Sequence, residues 1–125
     1  MNRILSSLPM SEMLAVVQLG YQLIGSAKQA PLSEEDDPSI DYIIESIGFG
    51  NNPIVGNHIW NEGSDANKVN PFSAFETVSH FSSEKKNAFK SMIEGLCSPD
   101  LVGYTTIRIL RTDIAKQIYQ RVGIK

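Results

Sequence analysis

The stretch from Met10 to Lys28 constrains this chain most, because its apolar side chains recur at Met10, Met13, Leu14, Val17, Tyr21, Ile24 and Ala27. Steps of three and four gather these positions on one side of an α-helix and scatter them over both faces of a strand, so the period selects the helix. A helix with such a face is not stable alone in water and needs apolar partners from the rest of the chain. Ser7 is the expected N-cap, with Pro9 tolerated in the first turn. Gly20 falls on the apolar side. There it either admits a second helix at close range or simply costs about 1 kcal/mol of helix propensity.

Proline and glycine punctuate the remaining segments. After Ala30-Pro31 two helix starts compete. Ser33 with Asp36 resembles a capping box with a shorter acid, and Asp37-Pro38 is a cap followed by proline at the first helical position. In a helix begun at Ser33, Pro38 would clash with the Glu34 carbonyl. The second start is therefore expected, with residues 33–37 as a turn or one acidic helical turn. Ile40, Ile43, Ile44 and Ile47 form its stripe, and Gly48 stops it. In residues 48–71, Asn52-Pro53 opens either a short helix burying Ile54, Val55, Ile59 and Trp60 or a hairpin, since Ile, Val and Trp also favour strands. Residues 62–70 read as a loop.

Asn70-Pro71 starts a helix with Phe72, Phe75 and Val78 that ends near His80. Ser82 or Ser83 caps the next, which carries Phe89, Met92, Ile93 and Leu96 and stops at Ser98-Pro99. The last begins near Tyr104, carries Ile107, Leu110, Ile114, Ile118 and Val122, and closes on Gly123-Ile124 in the Schellman manner. Lys116 and Arg121 suit its dipole. The pattern predicts an all-α fold of five to six helices in a compact bundle, one domain over residues 1–125. At 125 residues the chain can bury roughly two-thirds of its unfolded surface without a metal or disulfide staple.

Charge excludes several functions. With 11 basic and 14 acidic residues the net charge is -3, which argues against a nucleic-acid binder. Lys85, Lys86 and Lys90, and Arg108, Arg111, Lys116 and Arg121, are interleaved with Glu84, Glu94 and Asp113 and have no aromatic stacking platform, so they read as solvated helix faces. No stretch approaches the ~20 apolar residues of a membrane span, and the residues after Met1 lack a leader's apolar run. The single cysteine, Cys97, forms no intrachain disulfide. A cytoplasmic protein is expected.

The run Glu34-Glu35-Asp36-Asp37 offers carboxylates to a hard cation. Neighbouring carboxylates on a helix do not converge, however, and acids at a helix start are already favoured by the dipole. His58 and His80 stand alone, without zinc-ligand spacing. Cys97 follows Leu96 beside the apolar face, where thiols are usually inert. With no convergent acid, base and nucleophile, the chain is not expected to be an enzyme. Trp60, flanked by His58 and Ile59, is either a core plug or the centre of a protein-binding surface.

The two halves echo one another. A helix, Ser26-Ala-Lys-Gln-Ala-Pro-Leu32, a helix and Ile47-Gly48-Phe49 are followed later by a helix, Leu96-Cys-Ser-Pro-Asp-Leu-Val102, a helix and Val122-Gly123-Ile124. Over about residues 13–124 the chain resembles the TerB-like family, named for the tellurite-resistance protein B. Leu32-Ser33-Glu34-Glu35 looks like one of that family's helix starts. The run from Phe72 to Lys86 looks like the helix before its serine–glutamate–lysine start, and Val122-Gly123-Ile124 like its terminal Leu-Gly-Ile. The resemblance implies an all-helical domain of two similar halves, an association with metal-ion and stress responses, and a divalent cation held by acids near the inter-helix turns. On this sequence those acids are Glu34, Glu35 and Asp100. Where the family has Asp-Gly, this chain has Lys28-Gln29-Ala30, and Tyr104-Thr105-Thr106 brings no glutamate to the second helix start. Two functions follow as expectations. One is a TerB-like binding or regulatory domain with a divalent cation. The other is a helical adaptor without ligand or catalysis that docks a protein partner around His58 and Trp60.

Overall fold

Local hydrogen bonds set where each helix begins. The computed structural model of the chain describes residues 2–48 and 71–125, apart from the side chains of residues 71 and 72. A short helix missed by periodicity, α1 (Arg3–Ser6), opens the chain, with Asn2 Oδ1 accepting the N–H groups of Ile4 at 3.0 Å and Leu5 at 3.1 Å. Ser7, expected to start the next helix, closes this one instead, its hydroxyl donating to the Arg3 carbonyl at 2.9 Å. α2 (Met10–Lys28) then begins after Pro9 with no side-chain cap.

Both competing starts before the third helix are used. Residues Glu34–Asp36 form a 3-10 turn in which Asp36 Oδ2 accepts the Ser33 N–H at 2.9 Å. That turn runs directly into α3 (Asp37–Ser46), so Asp37 is the first helical residue rather than the cap, with Pro38 in the first turn. There a missing N–H forfeits no helix bond. α4 (Pro71–Ser79) is followed by α5 (Ser83–Leu96), whose cap Ser82 Oγ accepts the Lys85 N–H at 3.3 Å. α6 (Thr105–Val122) ends on Gly123 at φ +75°, and the Ile124 N–H reaches back to the Tyr119 carbonyl at 2.8 Å, completing the Schellman closure.

α2 lies at the centre and packs against α3, α4, α5 and α6. Its burial is accordingly wider than one stripe, for Val16, Leu19 and Leu23 are fully enclosed along with Val17 and Ile24. α3 crosses at Gly20, where a Cβ would stand 2.7 Å from Ile43 Cδ1. Met92 of α5 lies beside this crossing, and Phe89, Ile93 and Leu96 of α5, Val78 of α4, and Ile118 and Val122 of α6 are buried in the same core. Leu5 seats α1 on the same core.

Among the described residues there are six α-helices and no strand, the all-α bundle that the pattern predicts. The helix-or-hairpin alternative around Ile54 and Trp60 lies outside the described residues. One helical face differs from expectation. α6 buries Arg111, Ala115, Ile118 and Val122, whereas Leu110 is 37% exposed and no residue from 105 to 110 is buried. The helix is turned so that Arg111, rather than Leu110, points inward, where it finds acceptors. No helix among the described residues is long and apolar enough to cross a membrane.

Candidate functional site

A polar cluster lies where α2 ends, α3 begins and α5 ends. Lys28, in the last turn of α2, extends its ammonium to Asp36 Oδ2 at 2.8 Å, Glu35 Oε1 at 2.6 Å and Ser33 Oγ at 3.1 Å. Asp36 is buried and its carboxylate also receives the Ser33 N–H, so this turn is tied to α2 through one oxygen. Beside it the buried Arg111 donates through Nη1 to Ser39 Oγ at 2.9 Å and to the Leu96 carbonyl at 2.9 Å. One guanidinium thus joins α3, α6 and the orphaned end of α5. Its Nε is buried and finds no acceptor among the described residues.

Burial pushes the Arg111 pKa down, and the nearby Asp36 charge works against that shift. Guanidinium basicity is high enough that it stays a cation. The hydrogen bonds to Asp36 and then to Glu35 raise the Lys28 pKa above its ordinary value. A cation favoured in this way stabilises the fold fully below its unfolded pKa and ceases to do so as pH rises through the folded one. Denaturant unfolding of wild type should therefore weaken above about pH 10.4, and Lys28→Met should lose part of that alkaline decline while being less stable at pH 7. Burial also raises the Tyr21 and Tyr119 pKa values. Both phenols penalise the fold above their unfolded pKa, so a residual decline persists in the variant.

The candidate metal ligands do not assemble. Glu34 and Asp100 are exposed, Glu35 is turned to Lys28, and among the described residues no three His, Cys, Asp or Glu side chains come together as a metal-holding group. The Lys28 ammonium pairs with Glu35 and Asp36, and no contact of it with Glu34 or Asp100 is seen among the described residues. His58 and Trp60 lie outside the described residues. His80 is exposed after α4 and Cys97 follows α5. The 14 residues of α5 span about 21 Å at 1.5 Å per residue, so these two do not share a site. The half-buried Cys97 thiol has its pKa pushed up by burial, which keeps it protonated at neutral pH and dulls it as a nucleophile.

The sequence reads Arg111 as part of a solvated helix face, but it is buried, because Ser39 and the Leu96 carbonyl accept from its guanidinium inside the bundle, and Ser39 itself was passed over. Arg111, Ala115, Ile118 and Val122 are spaced four, three and four apart, a helical face in its own right that an arginine at one end disguised. At the start of the same helix, the N-cap Tyr104 is 80% exposed, and Ile109 on the helix is 55% exposed.

Comparison with protein-family models, with curated proteins and with solved structures finds no match to this chain.

Proposed function

We propose that this chain is a TerB-like helical domain, cytoplasmic and without catalysis, that acts as a small binding or regulatory module, and that its ligand is a protein surface rather than a metal ion. The family part of this reading rests on the order of three helix signals: Leu32-Ser33-Glu34-Glu35, the run from Phe72 to Lys86, and Val122-Gly123-Ile124. Its metal-ion and stress-response setting comes with the family. The choice of ligand rests on one observation: Ile109 and Leu110 in the first third of α6, and Tyr104 just before it, stand in solvent while the acids near the first turn hold Lys28. Large apolar side chains held out on a regular helix lose solvent-exposed area when a partner covers them.

Affinity capture with tagged wild type and with the double variant Ile109→Asp, Leu110→Asp tests this. The two chains should melt alike, and a partner held by wild type should be lost by the variant. Identical capture by both chains would overturn the α6 surface. Loss with Trp60→Ala instead would move docking to the segment containing His58 and Trp60. Calorimetric titration with Ca²⁺, Mg²⁺, Mn²⁺ and Zn²⁺ should give no saturable heat and no rise in melting temperature; binding of any of them would restore the cation.

A further inference from the structure

Four large apolar side chains stand exposed among the described residues, and three of them, Tyr104, Ile109 and Leu110, gather at the start of α6. Thr106, Ile109, Leu110 and Asp113 are all exposed, and steps of three and four place them on one face of the helix as a single patch. Charge at the two ends of this patch is unmet. α6 starts at Tyr104 with no side-chain cap and no acid in its first turn, which leaves the positive end of its dipole bare. About two turns on, Asp113 joins no ion pair among the described residues.

The four positions are symmetric about a point between Ile109 and Leu110. A second copy laid antiparallel across that point sets Ile109 of each against Leu110 of the other. It also sets Asp113 of each against Thr106 in the other's uncapped first turn. Each carboxylate then meets a hydroxyl donor and the positive end of a dipole. A parallel pairing would instead oppose Asp113 to Asp113. The face thus carries its own complement, apolar at the centre and opposite in charge at the two ends, as an isologous two-fold contact requires.

We propose that α6 docks a second copy of this chain in an antiparallel crossing centred between Ile109 and Leu110. This dimer presupposes the reading of α6 as a protein-docking surface. So few apolar side chains place the contact in the transient class, below ~1,200 Å², so it should dissociate on dilution. Sedimentation velocity of the full chain, run from micromolar to millimolar concentration, should move from one chain toward two. Ile109→Asp with Leu110→Asp should stay a monomer throughout. Thr106→Lys, which sets an ammonium against the other copy's Asp113, should associate about threefold or more tightly, and Thr106→Asp, acid against acid, about threefold or more weakly. Adding Asp113→Lys to Thr106→Asp should restore wild-type association. A wild type that stays monomeric, unchanged association in the Ile109, Leu110 variant, or shifts of the same sign in Thr106→Lys and Thr106→Asp would overturn the dimer. A monomeric wild type whose captured partner is still lost with Ile109→Asp, Leu110→Asp would keep α6 as a docking surface for a different protein, and equal capture would remove both. Circular dichroism checks each variant, and should the Ile109, Leu110 variant fail to fold, the two opposite charges at the exposed Thr106 decide.

Discussion

Replacing Arg111 with alanine should lower the unfolding free energy by about 3 kcal/mol. Two buried acceptors, Ser39 Oγ and the Leu96 carbonyl, lose their donor together, and an unmet buried polar group costs about 1–3 kcal/mol. The alkyl stem also leaves a void among the ends of three helices. Asp36 is not orphaned, since Lys28 still pairs with it, which keeps the loss below that of a broken buried ion pair. Urea unfolding measures the total, and Arg111→Met, which keeps most of the stem, separates packing from hydrogen bonding. A cycle with Ser39→Ala should show coupling of about 1 kcal/mol. A loss under about 1 kcal/mol for Arg111→Ala would mean that these bonds do not hold α3 to α6.

Gly20→Leu should destabilise by about 3 kcal/mol, at the upper end of overpacking costs. Even a Cβ there would stand 2.7 Å from Ile43 Cδ1 and 3.6 Å from Met92 Cε, so a full side chain must push α3 off α2. Gly20→Ala is the informative companion. It gains about 1 kcal/mol of helix propensity and must displace only the far end of Ile43. It should therefore lie near wild type, and the contrast between the two variants isolates helix approach from backbone preference. Wild-type-like melting of Gly20→Leu would place the crossing elsewhere.

Features legible in the sequence are those whose physics is local. Ser82, Gly48 and Gly123 act within a few residues of themselves, and the close approach at Gly20 needed only its position on an apolar face. The extent of burial around α2 was not legible, because Val16, Leu19 and Leu23 are covered by helices whose placement no periodicity reveals. α1 escaped because one turn carries no period, and Ser7 was misassigned because a serine between two helices serves either. The polar site is the hardest case. Arg111 meets Ser39 across a separation of 72 residues, and Lys28 meets Asp36 across a turn that the sequence shows as an acidic run with a Ser33–Asp36 capping box, without the lysine that pairs with it. The pairing of Glu35 and Asp36 with Lys28 depends on where α2 stops.

The central placement of α2 bears on how the molecule comes apart. Four of the other helices rest on it, so none has a complete apolar contact surface once it leaves. Subsets of helices are poor intermediates for that reason, and loss of order should pass through the whole bundle as one cooperative event, with fluorescence and circular dichroism reporting a common midpoint.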